Sequence, residues 1–257
     1  MSRLPRAVTL ALSGLMLTTS TPVLSGNIQI GATSGDAELR NFSEWISAVD
    51  LVVKSPQFRA NLVSLADIYP SVYLAQDGNN APHLATVKDM AAMLPPGTGY
   101  RYVPVPVALV GDTYSDAAYG GWTGFADSNG QSLGSLTLGR LHLKRWLSQD
   151  VVEKSCAINT LAHEHSHTLS SHSQFYNMVF LDQDRRKAPA GVPSASYLIG
   201  TAAQCTWLQQ QGRVKPNGFK ACVAVFGTRH FNSNRCSAFS ANQEVVERAD
   251  LPAPASD

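Results

Sequence analysis

Apolar residues recur at helical spacing early in the chain. Between Asp36 and Lys54 they fall at Leu39, Phe42, Ile46, Val49 and Val53, steps of three and four that line one face of an α-helix. Ser55 and Pro56 come next. A serine cap before a proline at the first helical position predicts a second helix, running toward Ile68. Pro82 to Leu94 reads as a third, ended by Pro95-Pro96-Gly97.

The pattern then changes period. In Tyr102 to Val110 (YVPVPVALV), Val103, Val105, Val107 and Leu109 share one face, and Pro104 and Pro106 share the other. Proline donates no ladder hydrogen bond, so an edge strand is expected. Residues 120–134 are rich in glycine, with Asn129-Gly130 as a hairpin turn. In Ser135 to Leu143 (SLTLGRLHL), Leu136 and Leu138 have one parity and Leu141 and Leu143 the other. A bulge near Gly139 would return all four to one face. A small mixed or antiparallel sheet is therefore expected before a helix that starts near Gln149-Asp150 and covers 151–171. An irregular stretch, 173–193, leads to another helix from Ser194 to Gln211, stopped by Gly212. The expected class is α+β, with additional N-terminal helices.

Composition refines this outline. The 257 residues are 44% hydrophobic, which is enough for one good-sized domain or two small ones. A net charge of +1 gives no basic field for a nucleic-acid partner. Arg3 and Arg6 precede an apolar run, Val8 to Leu17, and then Val23-Leu24-Ser25 before Gly26. That is the order of a secretory signal, and the run is too short to span a bilayer. Residues 1–25 are expected to be a signal peptide. Residues 26–250 are expected to form a single domain, helical over 26–100 and carrying the sheet and site helices over 101–250. Residues 251–257 read as a flexible proline- and alanine-rich tail. No later run is long enough to cross a membrane, so the mature chain is expected to be secreted or periplasmic.

Export sets the reading of the cysteines. Cys156, Cys205, Cys222 and Cys236 predict two disulfides in an oxidising compartment, with three possible pairings. Cys156–Cys205 and Cys222–Cys236 are favoured, the latter because it closes a short loop. Asn41-Phe42-Ser43 is a glycosylation sequon.

The chemistry centres on NTLAHEHSHTLSS, residues 159–171. Within it, His163, Glu164 and His167 satisfy H-E-x-x-H. Residues four apart lie on one helix face, so His163 and His167 can reach one cation together. His165 points roughly 160–200° away from that face. Glu164, beside His163, can lean over the cation without binding it, where a general base takes a proton from an attacking water. A solvated histidine cluster and an adventitious metal binder are the competing readings. His142 and His230 have no constellation around them and read as structural.

His163, Glu164 and His167, on a helix that follows a sheet, resemble the active-site motif of the zincin metallopeptidases. The resemblance implies a zincin-like α+β fold, a metallopeptidase-like domain, bound Zn²⁺ and a protein or peptide substrate. It implies His163 and His167 as zinc ligands and Glu164 as the catalytic base. It does not extend to the N-terminal helices. A catalytic zinc takes three protein ligands and an open position, and the zincin pattern puts the third downstream. His172 is one choice, although metzincins have HExxHxxGxxH and this chain has Ser170 and Ser173 at the last two points. Glu244 and Glu247, in NQEVVERAD, are similar to the later-helix glutamate of gluzincins, without the usual acid spacing. Asp182 follows an apolar run, and Tyr197 to Cys205 (YLIGTAAQC) is similar to the cysteine-bearing helix of the aspzincin group. The GTxD that precedes that helix in the group is absent here. Asp182 ranks first, with a pairing to Arg185 or Arg186 as its ordinary alternative. Tyr197 is then placed as a transition-state donor, as in several zincins, or as a core residue with its hydroxyl at the surface.

The expected function is that of an exported zinc metalloendopeptidase. A non-catalytic exported metal-binding or interaction protein on the same fold is the alternative, and a hydrolase of another amide is the third choice.

Overall fold

Helix α1 spans Asp36–Val53 and α2 spans Pro56–Ser64. Both form where the spacing and the cap predict them. Phe42, Trp45, Ile46, Val49, Val52 and Val53 are buried along one side of α1. The Ser55 hydroxyl accepts from the Phe58 N–H at 3.1 Å, which satisfies one of the donors a helix start leaves open. The computed structural model describes residues 36–76, 82–94, 107–110, 118–126, 132–166, 178–179 and 191–227. The expected leader (1–25), the Pro95-Pro96-Gly97 stop, the Asn129-Gly130 turn and the tail (251–257) lie outside them.

The part expected to be helical throughout also contains strands. β1 (Ser71–Gln76) and β2 (Pro82–Thr86) pair antiparallel, Ser71 opposite Thr86, and α3 (Val87–Met93) begins only after β2. The single helix expected from Pro82 to Leu94 is therefore a strand followed by a short helix. Thr86 makes the break: its hydroxyl caps α3 by accepting from the Asp89 N–H at 3.0 Å. β1 is the centre of a three-stranded sheet ordered β2-β1-β6, where β6 is Met178–Val179. Val72, Tyr73 and Leu74 are all buried, so β1 shows none of the apolar–polar alternation that marks a half-exposed strand.

The second sheet is ordered β3-β5-β4, from β3 (Val107–Val110), β4 (Ala118–Ala126) and β5 (Ser132–Gly139). β3 runs parallel to β5 with Val107 opposite Leu136, and β4 runs antiparallel to β5. β3 is an edge strand, as expected of a segment that opens with prolines. The expected continuation of β5 to Leu143 through a bulge does not occur. The strand ends at Gly139 and α4 (Arg140–Trp146) follows at once. His142, Leu143 and Arg145 are buried while Lys144 and Leu147 are exposed, which is a helical arc rather than a strand's two faces.

α5 (Val151–Ser166) starts where expected, with the Asp150 carboxylate accepting from the Val152 N–H at 2.7 Å. From Ser155 to Ser166 every residue is buried. α5 is the central helix, touched by α6, α4, α1 and β4. α6 (Ala195–Gln210) is capped by Ser194, and Gly212, at φ +69°, takes the left-handed turn beyond its C-cap. One core cluster joins Phe42, Leu62 and Leu74 of the N-terminal part to Ile158, Leu161 and Leu198 of the later helices. The architecture is α+β. Among the described residues, no helix is long and apolar enough to cross a membrane.

The disulfides differ from the favoured pairing. Cys205 bonds Cys222, tying α6 to α7 (Phe219–Phe226) across a separation of 17 residues. Cys156 is also disulfide-bonded. Loop length favours a Cys222–Cys236 bridge, but the packing of α7 on α6 brings Cys222 to Cys205 instead. Peptide mapping without reductant should recover a Cys205–Cys222 cross-link. The double variant Cys205→Ala/Cys222→Ala should lose about 3 kcal/mol in urea unfolding, from the loop entropy returned to the unfolded chain. A melt unchanged by the double substitution would contradict that.

Lys220 of α7 also pairs with Asp67 in the 3₁₀ turn Leu65–Asp67 that follows α2. The hydrogen bond from Lys220, and then its charge, hold the exposed Asp67 carboxyl below its ordinary value. A depressed carboxyl adds stability above its unfolded pKa and loses it as pH falls through the folded one. Lys220→Ala should therefore be less stable than wild type near neutrality. Thermal melts should show that gap closing once the pH drops below the carboxylate range.

Candidate metal centre

Ser155, Asn159 and His163 are spaced four apart on α5, and all three meet α6. The two helices run antiparallel, with Gln204 opposite Ser155 and Tyr197 opposite His163. The Gln204 amide donates to Ser155 Oγ at 3.0 Å and to Cys156 Sγ at 3.3 Å. Its carbonyl oxygen accepts from Asn159 Nδ2 at 2.7 Å. Asn159 Nδ2 also reaches Thr201 Oγ1 at 3.4 Å, and the Thr201 hydroxyl donates to the Gly227 carbonyl at 2.8 Å. The side chains of this ladder are all buried, and buried amides persist only when both their ends are satisfied.

Gly200 sits at a close approach of the two helices. A Cβ there would stand 2.7 Å from Asn159 Oδ1, 3.0 Å from the Asn159 carbonyl oxygen and 3.0 Å from His163 Cβ. Only glycine lets α6 lie this near the HExxH turn. One turn earlier on α6, the Tyr197 ring packs on the His163 imidazole, with centroids 4.4 Å apart and planes inclined at 49°.

His163 and Glu164 are 5% and 7% exposed, and His165 is fully buried. That burial overturns the reading of a solvated histidine cluster. His163 Nε2 lies 3.7 Å from Glu164 Oε1, which is electrostatic contact but beyond hydrogen-bond reach. At the end of the described helix, the Ser166 hydroxyl donates to the His163 carbonyl at 2.6 Å, occupying an acceptor in the last turn.

Of the residues expected to form the site, the structure places His163 and Glu164 together. His167, one residue beyond Ser166, lies outside the described residues, as do Asp182, His172, Glu244, Glu247 and His230. Among the described residues, no group of three His, Cys, Asp or Glu side chains is gathered that could hold a metal ion. Of the expected ligands, the described residues include His163 alone, a buried imidazole of the kind that binds Zn²⁺, with the Glu164 carboxylate beside it.

His142, expected to have no constellation around it, has polar neighbours in the fold. It is buried in a separate cluster, with Nδ1 3.4 Å from Arg145 Nη1 and 3.3 Å from Thr160 Oγ1. A guanidinium can only donate, so this contact makes Nδ1 the acceptor. Arg145 Nε in turn lies 3.8 Å from Glu153 Oε2.

Asn159, Gly200 and Gln204 are not legible as site residues in the sequence. The four-residue spacing of Ser155, Asn159 and His163 is the available signal, but it has meaning only once α6 is known to cover that face. No family model, curated protein or solved structure matches this chain.

Gln204→Leu keeps the side-chain volume but strands the Asn159 amide. It should cost about 1–3 kcal/mol in chemical denaturation, and a neutral result would show that the amide ladder adds no stability.

Proposed function

We propose that this chain is an exported, zinc-dependent metalloendopeptidase on a zincin-like fold. The observation that carries the reading is the burial of His163 and Glu164 side by side on the central helix, with Nε2 and Oε1 3.7 Å apart. Burying a titratable imidazole and a carboxylate together costs several kcal/mol of desolvation unless a cation or a network uses them. A small sheet precedes this helix in the chain, with the short helix α4 between them, and that order supports the same reading.

In this reading His163 and His167, four residues apart, hold Zn²⁺, and Asp182 is the first choice for the third ligand. When bound, the ion supplies a lowered pKa for the attacking water and polarisation of the scissile carbonyl. Glu164 takes the proton of the attacking water and passes it to the departing amine. Glu164 is itself buried, a poorly solvated setting where charge acts strongly. Export follows from the Arg3 to Ser25 pattern, and the substrate is then a protein or peptide met outside the cytoplasm.

The test compares the wild-type chain with Glu164→Gln. Both should hold one zinc per chain by elemental analysis. Hydrolysis of an unfolded protein substrate should fall by about 10²–10⁴-fold in the variant, the range a lost general base produces. A wild-type chain purified without stoichiometric metal sinks the proposal. Stoichiometric zinc with no hydrolysis by wild type would assign the chain to the non-catalytic metal-binding class instead.

A further inference from the structure

We propose that Tyr197 is a positioning residue for His163 and that it acts through its ring. The inference rests on the reading of His163 as a zinc ligand. It adds how the fold sets that ligand's orientation.

The Tyr197 ring covers one side of the His163 imidazole at 4.4 Å between centroids. Ring-on-ring contact at this distance restricts how the imidazole can turn about its side-chain bonds. The tyrosine is itself anchored from both directions along the chain. Ser194 Oγ accepts from the Tyr197 N–H at 3.4 Å, fixing the first turn of α6. Just before that turn, the Tyr73 N–H of β1 donates to the Pro193 carbonyl at 2.8 Å, and Tyr73 bridges Ser194. One turn further on, Gly200 presses α6 against His163 Cβ and Asn159. Below that, the Gln204–Asn159 amide pair stops α6 from sliding along α5. The backbone of His163 is thus set by Gly200 and its ring by Tyr197. A ligand imidazole held in its binding orientation loses less freedom when it takes up a cation, and groups that orient ligands typically change metal affinity by about 10–100-fold.

The experiment uses the full chain and three proteins: wild type, Tyr197→Phe and Tyr197→Leu. Zn²⁺ affinity is read by competition with a chromophoric chelator. The His163 ring-proton shifts are read by NMR on the metal-free chain, together with the ring-to-ring NOE in wild type. Tyr197→Phe should bind Zn²⁺ like wild type and leave the His163 shifts in place. Tyr197→Leu should bind about tenfold more weakly and move those shifts. Equal Zn²⁺ affinity in wild type and Tyr197→Leu overturns the proposal, even if the leucine variant is less stable, because that marks a packing residue only. A phenylalanine variant as weak as the leucine one overturns it too, by assigning the effect to the hydroxyl. If wild type binds no Zn²⁺, the metal reading fails by itself. Ring shifts moved by leucine and not by phenylalanine would still support the positioning contact, and unmoved shifts would overturn it. The wild-type NOE needs no variant to fold, and its absence rejects the contact outright.

Discussion

The close approach of α6 to α5 at Gly200 is the constraint on which the rest of the site depends. Where a side chain would otherwise hold two helices apart, a hydrogen atom lets Asn159 and His163 meet the α6 backbone. That spacing brings the Gln204 amide within 2.7 Å of Asn159 and the Tyr197 ring within 4.4 Å of His163. Each of these contacts is short-ranged. Dispersion and hydrogen bonding both weaken steeply over the ångström or so that a methyl group would add. The helix pair is therefore held by the absence of one side chain as much as by the presence of others.

Around that seam the molecule spends its apolar residues on enclosure. α5 is surrounded by α1, α4, α6 and β4, so even its polar residues are buried. A helix in that position would ordinarily be aliphatic throughout. Here Ser155, Asn159, Thr160, His163, Glu164 and His165 occupy it instead. Three of these polar groups, Ser155, Asn159 and Thr160, sit in two defined clusters on different sides of α5. One is the Ser155–Gln204–Asn159 ladder against α6, and the other is the His142–Arg145–Thr160 group against α4. Polar residues at this density in a core are costly to desolvate. The Cys205–Cys222 bridge, and the second bond made by Cys156, offset part of that cost by restricting the unfolded chain.

The departures from the expected elements have two causes. β1 escapes a search by periodicity because Val72, Tyr73 and Leu74 are buried on both faces of a central strand, which erases the period-2 signal. Pro82 to Leu94 reads as one helix only when apolar spacing is followed across a junction. The junction itself is marked by Thr86 and Asp89, a cap signal three residues apart. Parity alone puts Leu141 and Leu143 in a strand, although α4 begins directly at Arg140. Loop length argues for one disulfide pairing, whereas helix packing decides which cysteines meet. In each case a neighbour distant in sequence, or a local cap that outweighs the apolar pattern, supplies the deciding contact.

What the sequence determined alone was local. The capped starts at Ser55 and Ser194, the left-handed stop at Gly212, the amphipathic face of α1 and the H-E-x-x-H register of His163 and Glu164 depend on residues within a turn or two of each other. Short-range sterics and hydrogen bonds are written directly into neighbouring side chains. What only the tertiary structure decided was which face of α5 is covered and by what. The meeting of Gly200 with His163, of Gln204 with Asn159, and of Cys205 with Cys222 depends on helices lying against one another at a set distance. Helix approach is set by the summed packing of both surfaces, and no single stretch of the chain carries that sum.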